Sequence, residues 1–319
     1  MSWPSNYPDT PDDEPEKKIA KSSTQPGGIL KDFAVGFKLA ATNFLSYSLA
    51  MIGIIFVTVV LLLVILLFIV VPLIITVGIP ALISLIIFFE STFSSTSQLT
   101  LVALIMVLIL PILGPFFIAL GSLFGMSREI VESDGTNAES AFGWYRRRAL
   151  SLVGGGALHF LVTLAPFIVA FIGIAYPAWN PPTNAQLRII IPVGLLWIFL
   201  INGMLSLTFP GIIDGLSAIR AAARSIRLTA QFPGRVLGAW MIMFLIVGIP
   251  ILSLIGEFAF LFPPIIPIGL FEPYAGLFII VLLFYLIPAF SIVLTRIYMI
   301  LTAKVDATYT HDNSGDDTL

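Results

Sequence analysis

The chain has 319 residues, 58% of them hydrophobic and 11% charged, with a formal net charge of −2. Soluble domains carry about 25% charged residues, and a water-facing shell needs polar side chains that this composition lacks. A soluble fold is therefore excluded, and the expected class is an all-α, polytopic bundle of transmembrane helices. There is no cysteine, which removes disulfides, thiol catalysis and Cys-ligated metals. With only His159 and His311 as histidines, no metal site or cofactor is expected.

Residues 1–27 are rich in Pro, Asp, Glu, Lys and Ser. Such a segment cannot bury enough apolar area to offset its ordering entropy and is expected to be a disordered tail. It holds no apolar run of the kind a secretory signal needs, so the first span is expected to be uncleaved. From Gly28 the pattern changes. Leu30, Phe33, Phe37, Ala40 and Phe44 recur at three- and four-residue spacing, with Lys31, Asp32 and Lys38 off the stripe. This spacing predicts an amphipathic helix, lying either in the membrane interface or at the inner start of the first span.

Residues 41–89 contain no charge, and at about 1.5 Å per residue such a run is long enough to cross a bilayer twice. One reading has a single span over 47–71, broken by Pro72, Gly78 and Pro80 and followed by a partial outer helix. The other has two full spans. Further spans are expected over 100–124, 150–176, 189–209, 236–262 and 275–302, followed by a second disordered tail over 306–319. The membrane domain then covers 28–305.

The basic residues set the orientation. With six spans, Lys17, Lys18, Lys21, Lys31 and Lys38 share one side with Arg128, Arg146, Arg147, Arg148, Arg220, Arg224, Arg227, Arg235, Arg296 and Lys304; Arg188 alone falls opposite, beside Glu90, Glu257 and Glu272. The positive-inside rule places the crowded side, and both termini, in the cytoplasm. Two full spans within 44–89 would send Arg146–Arg148 outward, so one span plus a partial helix is preferred. Trp144 and Tyr145 fall at an inner boundary and Tyr176, Trp179 and Tyr274 at outer ones, where amphipathic rings favour the headgroup layer.

The two long inner loops echo each other. One reads GSLFGMSREIVESDGTNAESAFGWYRRRALSLVGGG and the other FPGIIDGLSAIRAAARSIRLTAQFPGRVLGAW. The REIVESDGTNAESAF segment, the helix over 218–228 with Ala221 and Ser225 four apart, and the trailing Gly234–Arg235 resemble a prokaryotic group of six-helix membrane proteins. That group includes the membrane domain found beside some glycerophosphodiester phosphodiesterases. The resemblance spans about residues 28–305 and implies architecture and a prokaryotic cell membrane; the group has no assigned chemistry. The His and metal-binding carboxylates of the phosphodiesterase domain have no counterpart here.

Arg220, Arg224 and Arg227 share one helix face, beside an apolar stripe of Leu216, Ile219, Ala223, Ile226 and Ala230. Asp214 is placed to cap this helix, and Pro233–Gly234 to end it. Guanidiniums on such a helix suit lipid phosphates; the plainer alternative is that they only enforce topology. Arg146, Arg147, Arg148 and Arg235 are weighed the same way.

Within the membrane, His159 is an ionisable group and Asn202 lies at comparable depth. The pair is read as helix–helix glue or as a substrate site. Gly121–Gly125 and Gly154–Gly156 permit close helix approach, and neither is a phosphate loop. No acid–base pair is apparent, so an enzyme is not expected. The leading expectation is a non-enzymatic protein that organises lipids, anionic ones among them, or membrane-protein partners, a second copy of itself included; nucleic acid is not a partner. The alternative is a transporter or channel for a small or lipidic substrate.

Overall fold

A computed structural model describes residues 28–78, 83–84, 87, 98–133, 135–178, 184–248, 250 and 274–313. Among these there is no strand. The helices are α1 (Ile29–Thr42), α2 (Phe44–Val77), α3 (Gln98–Ser133), α4 (Ala138–Arg147), α5 (Ala149–Ala178), α6 (Asn184–Leu205), α7 (Thr208–Ile213), α8 (Ala218–Gln231), α9 (Pro233–Met243), α10 (Ala275–Val281) and α11 (Ile287–Asn313). A π-helical turn over Phe244–Gly248 extends α9, and another over Leu282–Leu286 joins α10 to α11.

Among the described residues three helical stretches are long and apolar enough to cross a membrane: Phe44–Phe68, Pro192–Ile213 and Gly276–Val305. A fourth arises if α8 and the helix Pro233–Gly248, bent by 104° at Phe232, count as one. Against the six spans read from the sequence, the described helices thus supply three to four. The N-terminal tail and residues 314–319 fall outside the described residues, as do most of 79–89 in the expected partial helix, the far end of the span expected over 236–262, and the side chains of Glu90, Arg188, Glu257 and Glu272; residues 306–313, expected in a disordered tail, are helical.

Some boundaries differ from expectation for identifiable reasons. Pro72 does not break α2, which runs through it to Val77. Proline removes one amide donor, which leaves the Phe68 carbonyl without its helical partner, a loss a helix tolerates. The stop comes at Gly78, whose φ of +78° is a conformation other residues resist. At the other end, α11 continues to Asn313 rather than ending at 305, because Ile297–Asn313 contains neither Pro nor Gly.

The stripe on α1 is spent on another helix. Phe33 and Phe37 pack edge-on against Phe290, and the Tyr285 hydroxyl donates to the Phe37 carbonyl. A side chain at Gly36 would collide with Val293, so glycine is what lets α1 lie so close to α11.

Two apolar cores flank α3 and α11. One joins Phe33, Phe124, Leu152, Phe209, Ile212, Val236, Val293 and Ile297. The other joins Ala40, Tyr47, Met51, Ile54, Leu123, Met126, Ile130 and Ile292. All six residues of α7 are buried, although the chain breaks at Ser206–Leu207 just before it. Ser225 repairs that break: its hydroxyl accepts the Leu207 N–H at 3.1 Å and donates to the Met204 carbonyl at 2.6 Å. Helix ends expose unpaired backbone groups, and burying them without partners is costly.

Candidate functional site

Three features of the bundle carry chemistry. The first is a cavity of about 590 Å³ bounded by α3, α5, α6, α7, α9 and α11 and both π turns, within the range of small-molecule sites. Its wall is chiefly hydrocarbon, with Phe117, Phe124, Phe160, Phe209, Phe244 and Phe290 prominent. A side chain at Gly156 would strike Phe117, so the α3–α5 wall is fixed by glycine. His159 and Asn202 both line the cavity and meet there, His159 Nε2 lying 2.5 Å from Asn202 Oδ1. Asn202 Nδ2 donates to the Ile198 carbonyl at 2.7 Å, which leaves Oδ1 as the acceptor. With the imidazole neutral, the hydrogen therefore sits on His159 Nε2, and Nδ1 is an acceptor. The structure thus brings together the two polar residues that the sequence reading placed within the membrane.

The second feature is a set of ion pairs at the end of the bundle where the arginines collect. Asp32 on α1 is fully buried and is gripped by two guanidiniums. Arg235 binds both of its oxygens, at 2.7 and 2.9 Å, and Arg296 approaches Oδ1 at 3.1 Å. Arg296 is as completely buried as Asp32. Nearby, Asp214 accepts from Arg128 at 2.8 Å and from the Tyr298 hydroxyl at 3.1 Å. This corrects the capping role read for Asp214: Ser217 occupies the N-cap position of α8, and the carboxylate turns toward α3 and α11 instead. Burial tends to lower the Arg128 pKa, but the hydrogen bond and charge of Glu132, joined by Asp214, outweigh it and raise the pKa above its ordinary value.

A third carboxylate organises the connection between α3 and α4. Glu129 accepts from Trp144 Nε1 at 2.8 Å, from the Thr136 hydroxyl at 2.9 Å and from the Ser140 hydroxyl. Asn137 caps α4 by accepting the Ser140 N–H. A side chain at Gly125 would run into the Trp144 ring. The REIVESDGTNAESAF segment is thus a folded knot around one buried-side carboxylate, and Trp144 points its N–H at protein.

The basic residues are distributed unequally. Arg220 and Arg227 are exposed on α8, as are Arg146 and Arg147 on α4, while Arg148 is partly covered. Arg147 lies over the Trp144 ring and Arg224 over the Tyr298 ring, 5.9 and 5.8 Å from the centroids. Arg235 is engaged by Asp32. Helix α8 turns Ala221, Ala222, Ser225, Leu228 and Thr229 inward. Its apolar stripe of Ile219, Ala223, Ile226 and Ala230 stays exposed, with Ile219 75% accessible. The helix therefore presents three faces: a small-residue face on the bundle, an outward apolar edge, and an arginine edge beside it.

Asp32 was missed as a functional residue from the sequence, where it reads as an off-stripe polar residue. The available signal is its spacing from Gly36 and Ala40, which puts a carboxylate on the small-residue face that approaches a neighbouring helix. Arg296, inside an otherwise uncharged span, is the matching signal. No family model, no curated protein and no solved structure matches the chain.

Proposed function

We propose that the chain is a six-span, non-enzymatic protein of the cell membrane, with both termini in the cytoplasm, that gathers anionic lipid headgroups on α8. The observation that carries this reading is the outward double edge of that helix, Ile219 and Ile226 beside Arg220 and Arg227. An exposed apolar edge next to guanidiniums suits the boundary between acyl chains and phosphates. Leu150 and Leu30, both strongly exposed near the same basic end, extend the apolar margin. The ion-paired residues beneath, Asp32, Arg235 and Arg296, supply a rigid seat for the helix pair α8–α9.

The test uses the full chain in nanodiscs of phosphatidylcholine containing a minor share of phosphatidylglycerol. Retained lipids are counted by native mass spectrometry. Each basic residue near an anionic leaflet contributes about 1 kcal/mol, so Arg220→Gln with Arg227→Gln should lower the preference for phosphatidylglycerol by roughly thirtyfold. Equal retention by wild type and variant would overturn the reading.

One observation favours a second reading, carriage of a small or lipidic substrate: His159 and Asn202 meet at a cavity. Movement of a fluorescent lipid between leaflets of proteoliposomes, scored by dithionite quenching, separates the two. The first reading expects no acceleration over protein-free vesicles.

A further inference from the structure

Two irregular helices meet at the cavity. Phe244, Val247 and Gly248 of one π turn and Leu282 of the other all line it. Single π turns are rare and concentrate at functional sites. Here two of them, on separate helices, border the same space.

The wall also holds polar groups with no protein partner. Trp240 Nε1–H, His159 Nδ1 and the Thr163 hydroxyl are buried, belong to lining residues and make no hydrogen bond within the protein. Leaving such groups unpaired costs about 1–3 kcal/mol each. Their chemistry is mixed. Trp240 is a donor only, His159 Nδ1 is an acceptor because Nε2 carries the hydrogen, and Thr163 serves as either. Two of them lie in one neighbourhood: a side chain at Gly203, the residue after Asn202, would meet Trp240 Cδ1 and Cγ, and Asn202 holds His159. Among the described lining residues there is no Asp, Glu, Lys or Arg. A ligand's charge would enter this space without a counter-ion, at a steep desolvation cost.

We propose that the cavity binds a neutral amphiphile carrying a hydroxyl group, a long-chain alcohol in chemical class. The hydrocarbon fills the phenylalanine-walled space. The hydroxyl oxygen accepts from Trp240 Nε1–H, and the hydroxyl hydrogen is donated to His159 Nδ1 or Thr163. This site is separate from the arginine edge of α8 and stands or falls without it.

The test is photo-crosslinking of the full chain in phosphatidylcholine nanodiscs. The probes are a diazirine-bearing sixteen-carbon alcohol and the fatty acid of the same chain, used at neutral pH. The alcohol should label the peptides around Phe160–Leu164 and Trp240–Val247, and unlabelled alcohol should suppress that labelling. The carboxylate should label them at least about tenfold less, reflecting its desolvation. Trp240→Phe should weaken alcohol labelling by roughly tenfold, the worth of one hydrogen bond; because the indole also packs against the core, the melting temperature of the unliganded variant is measured alongside to confirm that it is folded. Labelling confined to the outward side of α2, equal labelling by alcohol and acid, or labelling indifferent to Trp240→Phe would each overturn the proposal. The alcohol–acid comparison needs no variant. Arg220→Gln with Arg227→Gln should leave it unchanged.

Discussion

The first long helix and the basic end of the bundle are opposites. Only 11% of the apolar stretch in Phe44–Phe68 is buried, against 56% in Pro192–Ile213. Past Ile54, α2 turns Phe56, Leu63, Leu67, Phe68 and Ile75 outward and holds its place chiefly through Tyr47, Ala50, Met51 and Ile54 at its start. Tyr47 adds a hydrogen bond: Ser127 spends its own hydrogen on the Leu123 carbonyl, so Tyr47 donates to Ser127 at 2.8 Å. At the basic end, by contrast, helices are tied by ion pairs, with Asp32 and Arg296 fully buried. The difference teaches that outward apolar residues make the long helices compatible with a membrane, while a few buried polar groups tie particular helices to one another.

That contrast is open to attack by substitution. The largest effect should come from Asp32→Ala, which leaves Arg235 and Arg296 buried without their carboxylate. Breaking a buried pair by removing one partner costs about 3–5 kcal/mol, and the loss should appear as a collapse in the melting temperature and monodispersity of the detergent-purified protein. A neutral outcome would mean that the triad contributes no orientation between α1, α9 and α11.

Next in size, and sharper as a comparison within one helix, are Ile54→Ala and Phe56→Leu. Ile54 is 1% exposed and Phe56 68%. The first should cost about 2–5 kcal/mol as a cavity mutation; the second should stay within about 0.5 kcal/mol. Reversed magnitudes in thermal melts would show that α2 is rotated from the orientation described. Glu129→Gln should cost about 1.5–3 kcal/mol, the range for hydrogen bonds to a charged group. It should also speed proteolysis between Ser133 and Arg148; an unchanged cleavage pattern would argue that the α4 knot holds without the charge.

Much of the helical layout was legible, because charge-free runs are local properties of the chain, whereas the break expected at Pro72 did not occur. The pairing of His159 with Asn202 was legible too, since position along neighbouring apolar helices is a matter of counting residues. What stayed hidden depends on long separations. Asp32 is 203 residues from Arg235 and 264 from Arg296, and no periodicity connects them. Arg235 therefore read alongside the arginines assigned to lipid headgroups or topology. Asp214 read as a helix cap because its local spacing fits one, yet Arg128 and Tyr298, remote in sequence, hold it away. The inner face of α8 was also obscured. Its alanines, Ser225 and Thr229 are less hydrophobic than the Ile219–Ile226 edge, so the stripe with the strongest apolar signal is the one left outward.

The π turn at Leu282–Leu286 has a consequence for the whole last helix. A π turn winds one residue more into a single rotation than an α turn does. Were Leu282–Leu286 to rewind as regular α-helix with every residue kept, everything beyond would swing by about 100° relative to the segment before it. Arg296 would then leave Asp32 and face elsewhere. The extra residue therefore acts as a phase setting, fixing the angle at which the outer part of this rod meets the buried charges at its base.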